Sequence, residues 1–388
     1  MKILTVLDSY PPDLNGGAYF THRLAKSLQA RGHDVLVICP SRNLKQGYTN
    51  YEEIPLYTVR SWPVLNYTHF RVCWPIFIKR GIIKAIQQFQ PDVVHLQGKF
   101  FLGGICYKAC RKLNIPLIAT NHFMPENFFH YTHLPSRCEP WFKRYTWRIV
   151  VDMLSHVDVV TTPTQTAATL LQSVDLHKPI HVISCGVDLK KFKPGQDANK
   201  LRQRFQIPDK PVLLYTGRLD KEKNLPIVLK AFHRARQQVD AHFVLTGRGK
   251  EQLTLKELVK TLNMTQHVTF TGYLNDEEYP LIYGLADCFV NASTAELQSI
   301  VALEAIASGL PLIAANAVAL PELVEHGVNG YLFLPNDVKN LAHYLIELLK
   351  NPEKSQSMGS ESRKKAESHD ICKTAEQYEQ LYLKMVQA

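Results

Sequence analysis

The sequence predicts an α/β protein built from two doubly wound domains, and three observations carry that expectation. Short apolar runs alternate with amphipathic helical patterns along the whole chain, the pattern of parallel sheets with crossover helices. At 388 residues the chain is long for one core and suits two. The stretch Cys185 to Pro194, CGVDLKKFKP, shifts to glycine, proline and lysine and is followed by a fresh series of strand-like runs. A linker belongs there. The expected domains are 1–190 and 191–370, with a last helix over 371–388.

In the first half the expected strands are Ile3 to Leu7, Val35 to Cys39, Val93 to Leu96, Leu117 to Thr120 and Val157 to Thr161. In the second they are Val212 to Thr216, His242 to Thr246, Val268 to Thr271, Cys288 to Val290 and Leu312 to Ala314. No repeat of 20 to 50 residues and no low-complexity tract interrupts them.

Composition is ordinary for a globular protein, 45% apolar and 21% charged. No apolar run approaches the roughly 20 residues that span a bilayer. MKILTVL reads as a first strand, being too short for a signal peptide and lacking a small-residue cleavage site. The eight cysteines lack zinc-ligand spacing, and Cys106 and Cys110, one helical turn apart, read as core-facing. A reducing, cytoplasmic setting without structural disulfides is expected. The net charge of +10 is uneven: residues 1–190 hold 21 Lys+Arg against 12 Asp+Glu, or +9, and the rest is nearly balanced. The first half should face something anionic.

The richest segment is TAELQSIVALEAIASGLPLIAA. A strand (Asp287 to Asn291) leads to Glu296, and a helix opening near Ser299 and Ile300 carries Glu304 about two turns in, before the stop signal Gly309-Leu310-Pro311. In an open α/β sheet, ligands bind at such strand-to-helix turns. Helix-opening amides at Ser299 and Ile300 suit an anion, and flanking carboxylates suit the hydroxyls beside a phosphate. Two glutamates alone would more often be a solvated loop residue and a helix-surface charge.

Other segments add to it. Gly16 and Gly17 follow the first strand and precede a helix, where a missing Cβ lets a ligand approach the backbone. In YTGRLDKEKNL, Arg218 and Lys223 stand five residues apart across a strand-to-helix turn, spaced to converge on one diphosphate. His122 follows a strand in ATNHFMPENF; a lone histidine is more often structural, but one at a sheet edge can donate to a phosphate or a sugar hydroxyl. Gly247 in LTGRGKE and the Gly272-Tyr273 turn end two more strands. No Asp-X-Asp pair occurs anywhere, so cationic side chains and helix ends must neutralise a diphosphate, and no metal requirement is expected.

These motifs resemble the retaining glycosyltransferases of family 4, which have the GT-B fold of two Rossmann-like domains facing across a cleft. The resemblance covers essentially the full chain and is weakest between Ser41 and Phe89. It implies that Glu296 contacts the transferred sugar, Glu304 holds the ribose, Arg218 and Lys223 hold the diphosphate, and His122 points toward the donor. It also implies that Gly16 and Gly17 reach donor phosphates or acceptor, that Gly247 and Tyr273 enclose the base, and that the last helix returns to the first domain. Where the family has an aromatic or apolar residue and then glycine, this chain has Gln298 and Ser299. That Glu-X-Gln version and the ENF after His122 resemble the diacylglycerol glucosyltransferase branch. The implied catalytic set is Glu296, His122, Arg218 and Lys223. No cofactor is implied beyond a nucleoside-diphosphate sugar co-substrate, expected to be UDP-glucose.

For the acceptor, RSWPVLNYTHFRVCWPIFIKR (Arg60 to Arg80) and RCEPWFKRYTWR (Arg137 to Arg148) interleave cations with aromatics, as suits the headgroup layer of an anionic membrane. The expected acceptor is therefore a membrane lipid such as diacylglycerol, and the expected location peripheral on the cytoplasmic membrane face. Soluble sugar, sugar-phosphate and inositol-lipid acceptors remain open, as does a catalytically retired regulatory subunit of the same fold. A nucleic-acid-binding module would fit the charge, but its recognised motifs are missing.

Overall fold

The computed structural model describes residues 1–13, 16–64, 67–98, 101–127, 129, 132 and 134–387. The chain divides into two compact units, Met1–Cys185 with Ile371–Ala388, and Gly186–Asp370.

The first unit runs β1 (Lys2–Val6), α1 (Gly16–Ala30), β2 (Asp34–Pro40), β3 (Gly47–Tyr51), β4 (Ile54–Val59), β5 (Trp62–Val64), β6 (Tyr67–Val72), α2 (Pro75–Phe89), β7 (Val93–Leu96), α3 (Phe101–Lys112), β8 (Leu117–Thr120), α4 (Glu139–His156), β9 (Val159–Thr162), α5 (Gln165–Ser173) and β10 (Ile180–Val182). Its eight-stranded sheet has the order β10-β9-β8-β7-β1-β2-β4-β3, parallel except for the β3–β4 hairpin. Strands buried on both faces read as continuous apolar runs, and these were the ones legible in the sequence. The exposed edge strand β3 (GYTNY), its partner β4, the separate β5–β6 hairpin and the three-residue β10 add to the five expected.

Strand order reverses between β1 and β7, so the carboxyl ends of those strands form the switch point of this sheet. Alternation along the strands assigns the two faces. Leu4, Val6, Val94, Leu96, Leu117 and Ala119 share one core with α2, α3 and α4, including Cys106 and Cys110. The other face carries α1, against which the last helix, α12 (Ile371–Gln387), packs. Glu379 of α12 accepts hydrogen bonds from Arg31 and His33 just past α1.

The second unit continues with α6 (Asn199–Arg204), β11 (Val212–Thr216), α7 (Leu225–Ala235), β12 (His242–Thr246), α8 (Gln252–Thr261), β13 (Val268–Gly272), β14 (Cys288–Asn291), α9 (Ile300–Ala307), β15 (Leu312–Ala315), β16 (Gly330–Phe333), α10 (Val338–Lys350) and α11 (Pro352–Glu367). All six strands are parallel, in the order β13-β12-β11-β14-β15-β16. This is the doubly wound dinucleotide-fold order, with its switch point between β11 and β14. The sixth strand, GYLF, is an addition to the five expected. At the unit's start, Arg363 of α11 donates to the carbonyls of Leu189 and Phe192 and to that of Ala307 at the end of α9, fixing the linker's second half to this unit.

Candidate active site

Around the second unit's switch point, the turns after β11 and β14 bring the sequence-singled residues together. Tyr215 donates its hydroxyl to the Arg218 carbonyl at 2.7 Å, folding the turn back on its own strand. A short helical turn at Lys221–Lys223 follows, and Asn224, in a left-handed conformation, anchors it across the sheet by donating to the Ala292 carbonyl after β14. Lys223 is thereby aimed at Glu296, and its ammonium donates to Glu296 Oε1 at 2.6 Å. Both side chains are largely shielded, so the pair is screened far less than a surface one.

Arg218 is held differently. Its guanidinium donates to Asp220 Oδ2 and Glu222 Oε1, each at 2.6 Å, and both carboxylates are nearly buried. Asp220 Oδ1 also accepts from the Lys250 amide at 3.0 Å. Arg218 and Lys223 therefore meet two separate sets of carboxylates rather than one another.

Glu304 sits on α9, which opens after Ser299 and closes just before Gly309, as expected. Its first residue, Ile300, places Glu304 little more than one turn in instead of two. Ser299 is the N-cap: its Oγ accepts from the Ala302 amide and from Asn291 Nδ2, and the first intrahelical bond is from the Leu303 amide to the Ser299 carbonyl. The amide of Ile300 thus lies in the helix-opening turn, where anions are favoured. Glu304 is only 2% exposed. A buried carboxylate needs donors, and Glu304 Oε2 accepts from Tyr279 Oη at 2.8 Å and Tyr283 Oη at 3.0 Å. Thr216, the last residue of β11, meets the Tyr283 hydroxyl at 2.8 Å. Burial and the adjacent carboxylate push both phenols well above their ordinary range, so they stay protonated donors.

Three adjacent strands end in glycines. Gly217 donates to the Thr246 carbonyl and Gly247 to the Gly272 carbonyl, so the turns carrying Arg218, Gly247 and Tyr273 form one shelf. Gly247 has φ +128, and a Cβ there would lie 1.9 Å from the Gly217 carbonyl oxygen. Only glycine fits. Tyr273 projects from the shelf's end as an exposed ring. Gln298 is half-buried in the turn between Glu296 and the Ser299 cap.

In the first unit, Gly16 and Gly17 open α1 after β1, at the carboxyl edge of the sheet. His122 lies at the same edge, past β8. Its Nε2 donates to Gln97 Oε1 at 2.8 Å and the Phe20 ring packs on it, centroids 4.9 Å apart. Burial pushes its pKa down to about 4, so it is a neutral imidazole at neutral pH.

A crossover helix between parallel strands starts over their carboxyl ends, so α2 and α4 begin at this edge and on one face. Trp74, Ile76 and Phe77 at the start of α2 and Trp141 and Tyr145 on α4 are exposed, the last two stacked at 5.4 Å. Among the described residues of these segments, Arg71 is buried on Ser61, Arg60 donates to the Leu44 carbonyl, and Lys143 pairs with Glu139 at 2.8 Å and reaches Glu126 at 4.0 Å. Trp147 belongs to the core. Among the described residues no helix is long and apolar enough to cross a membrane, and no group of three or more His, Cys, Asp or Glu is arranged to hold a metal.

Residues 197–365 match the family model described as glycosyl transferases group 1, and residues 14–191 match that of glycosyltransferase family 4. An alpha-monoglucosyldiacylglycerol synthase of Streptococcus pneumoniae is 30% identical over 358 residues, 90% of this chain and 78% of that protein. A GDP-mannose-dependent alpha-mannosyltransferase of Corynebacterium glutamicum is 28% identical over 344 residues, covering 87% and 78%. Among solved structures, sucrose-phosphate synthase from Thermosynechococcus elongatus superposes with a TM-score of 0.82 at 20% identity over 99% of both chains. With two Rossmann-like units and these matches along its length, the chain belongs to the retaining glycosyltransferases of family 4, of GT-B fold.

Proposed function

We propose that this enzyme transfers glucose from UDP-glucose, with retention, to a membrane lipid such as diacylglycerol, docking peripherally on the cytoplasmic membrane face through its first unit. The observation that carries the donor half is the Lys223–Glu296 pair spanning the switch point beside Arg218 and the start of α9. On donor binding, Lys223 exchanges a carboxylate for the diphosphate, which frees Glu296 for the hydroxyls of the sugar. Arg218, Lys223 and the amides at Ser299 and Ile300 then face charge that grows as the leaving group departs, the kind of stabilisation that raises turnover. The bond from the anomeric carbon to the diphosphate breaks through an oxocarbenium-like state. The acceptor oxygen attacks on the same face, and its proton passes to the departing phosphate oxygen. Glu304, held through Oε2, offers the ribose its carboxylate, and Gly247, Tyr273 and Gln298 line the base and sugar ends. His122 stands at the edge where Gly16 and Gly17 open α1.

The acceptor half rests on the exposed aromatics and cations of α2 and α4, and on a relative named for making alpha-monoglucosyldiacylglycerol. The mannosyltransferase relative favours a second reading, GDP-mannose as donor, and a soluble acceptor is the other alternative. Labelled UDP-glucose, UDP-galactose and GDP-mannose, each offered with diacylglycerol vesicles and with soluble sugars, test the assignment. Glucosyl-diacylglycerol should form, and EDTA should leave the rate unchanged. Transfer to soluble acceptors alone would overturn the lipid assignment, and magnesium-restored activity would overturn the metal-free diphosphate site.

A further inference from the structure

On the α12 face of the first unit's sheet, the outward positions of three neighbouring strands are polar: His95 on β7, Thr120 on β8 and Thr161 on β9 are all fully or nearly buried. Two fully buried tyrosines of α12 cover them. Tyr382 Oη lies 2.7 Å from His95 Nδ1, Thr120 Oγ1 lies 2.6 Å from His95 Nε2, and Tyr378 Oη lies 3.1 Å from Thr120 Oγ1. Such a fully connected buried network is rigid and exacting about its donors. At its end stands Gln97, 2% exposed, with Nε2 at 3.1 Å from both ring nitrogens of His95 and Oε1 at 2.8 Å from His122 Nε2.

We propose that Gln97 is a positioning residue for glycosyl transfer: its amide, oriented by His95 and the α12 tyrosines, locks His122 as the Nε2–H tautomer. His122 Nδ1 is then a bare acceptor, suited to receive a hydrogen bond from a sugar or acceptor hydroxyl and unsuited to donate to phosphate. The inference rests on the reading that His122 works in transfer. The described neighbours that face His122 are Gln97 and His95 from β7 and Phe20 from α1, with Tyr378 and Tyr382 of α12 behind them. None of them is charged at neutral pH, since burial holds His95 down near 3 and both tyrosines up. The amide therefore decides the tautomer without competition from a neighbouring charge. It also converts a helix 250 residues along the chain into part of the support for a residue at the site.

The test uses the full-length protein with 15N-labelled histidine, the His122 resonances being identified by their loss in His122→Phe. Wild type should show His122 as the Nε2–H form alone. Gln97→Leu, which removes the acceptor oxygen, should populate the Nδ1–H form and lower kcat about ten- to a hundredfold, the loss expected for a misplaced reacting group. KM for UDP-glucose should stay within about twofold. Gln97→Glu keeps an oxygen for Nε2–H, so it should preserve the tautomer. Its carboxylate should raise the His122 pKa and move the acid limb of the rate profile upward from about pH 4. Retention of the Nε2–H form in Gln97→Leu, or a loss confined to KM, would overturn the proposal. If Gln97→Leu does not fold, Gln97→Glu decides alone, and a profile whose acid limb stays where it is in wild type counts against it. Undiminished turnover in His122→Ala would instead remove the reading of His122 on which this rests.

Discussion

Glu304 shows how much of a site is local in sequence and how much is not. Its spacing from Glu296 was legible because one strand, one turn and one helix set it. Its buried setting depends on Tyr279 and Tyr283, more than 20 residues upstream, which nothing in the local sequence ties to Glu304. Asp220 and Glu222 on Arg218 were equally hidden, since acidic residues in a loop carry no signal of what they hold. Gln97 was hidden for a related reason: His95 is its neighbour on β7, but His122, the partner that gives it a role, lies in the loop past β8. The hydrogen bonds predict graded effects. Glu304→Ala should weaken UDP binding by about 1.5–3 kcal/mol, the usual worth of a hydrogen bond to a charged group, while kcat changes less. Tyr279→Phe removes one of two donors to the same oxygen and should weaken UDP by about 1 kcal/mol. Calorimetry with UDP checks both, and equal affinity in Glu304→Ala and wild type would refute the ribose assignment.

At the scale of elements, the longer apolar parallel strands were legible, the edge strand β13 among them, whereas the short or polar strands and the interior strand β4 were not. β11, β12, β14 and β15 are continuous apolar runs, whereas β3 and β10 are short and exposed and β16 begins at a glycine. Helix α11 was equally opaque, because its buried positions are Ser355, Met358, Gly359, Ser362 and Ala366, a face of mostly small residues with little apolar pattern. That face matters because it lets α11 approach α9, the helix bearing Glu304. A Cβ on Gly359 would lie 2.0 Å from the Gly309 carbonyl oxygen, a backbone atom that cannot swing aside. Gly359→Ala should therefore destabilise the second unit by about 1–3 kcal/mol, as overpacking does. It should also displace α9 enough to weaken UDP binding. Denaturant melts with and without UDP would show both effects, and an unaltered midpoint would contradict the close approach.

Over the whole molecule, ionisation shapes both stability and surface. Burial depresses His95 to about 3 in the first unit and His242 to about 4 in the second, with cationic neighbours adding to the effect at His242. Between an unfolded pKa near 6.5 and those values, the unfolded chain binds more protons, so stability rises with pH across that window. Acidification from pH 7 toward 4 should therefore lower Tm, at about 1.4 kcal/mol per pH unit for each such histidine, and a flat Tm over that range would refute the burial. The surface prediction concerns the +9 of residues 1–190. Arg137, Arg144 and Arg148 are exposed on and beside α4, whereas Lys143 is spent on Glu139 and Glu126. If these cations meet a membrane, each contributes about 1 kcal/mol near an anionic surface, screened within a Debye length of about 8–10 Å. Flotation with vesicles should thus rise with anionic lipid and fall with salt. Charge reversal at Arg137, Arg144 and Arg148 should reduce it sharply and leave UDP affinity intact, while reversal at Lys143 should change it least. Trp74, Ile76, Phe77 and Trp141 are exposed apolar groups at the same sheet edge. Their insertion should leave a salt-resistant fraction bound, with blue-shifted tryptophan emission that Trp74→Ala and Trp141→Ala diminish. A protein that ignores anionic vesicles at low salt would leave these aromatics without a membrane to meet, and a soluble acceptor would then account better for the site.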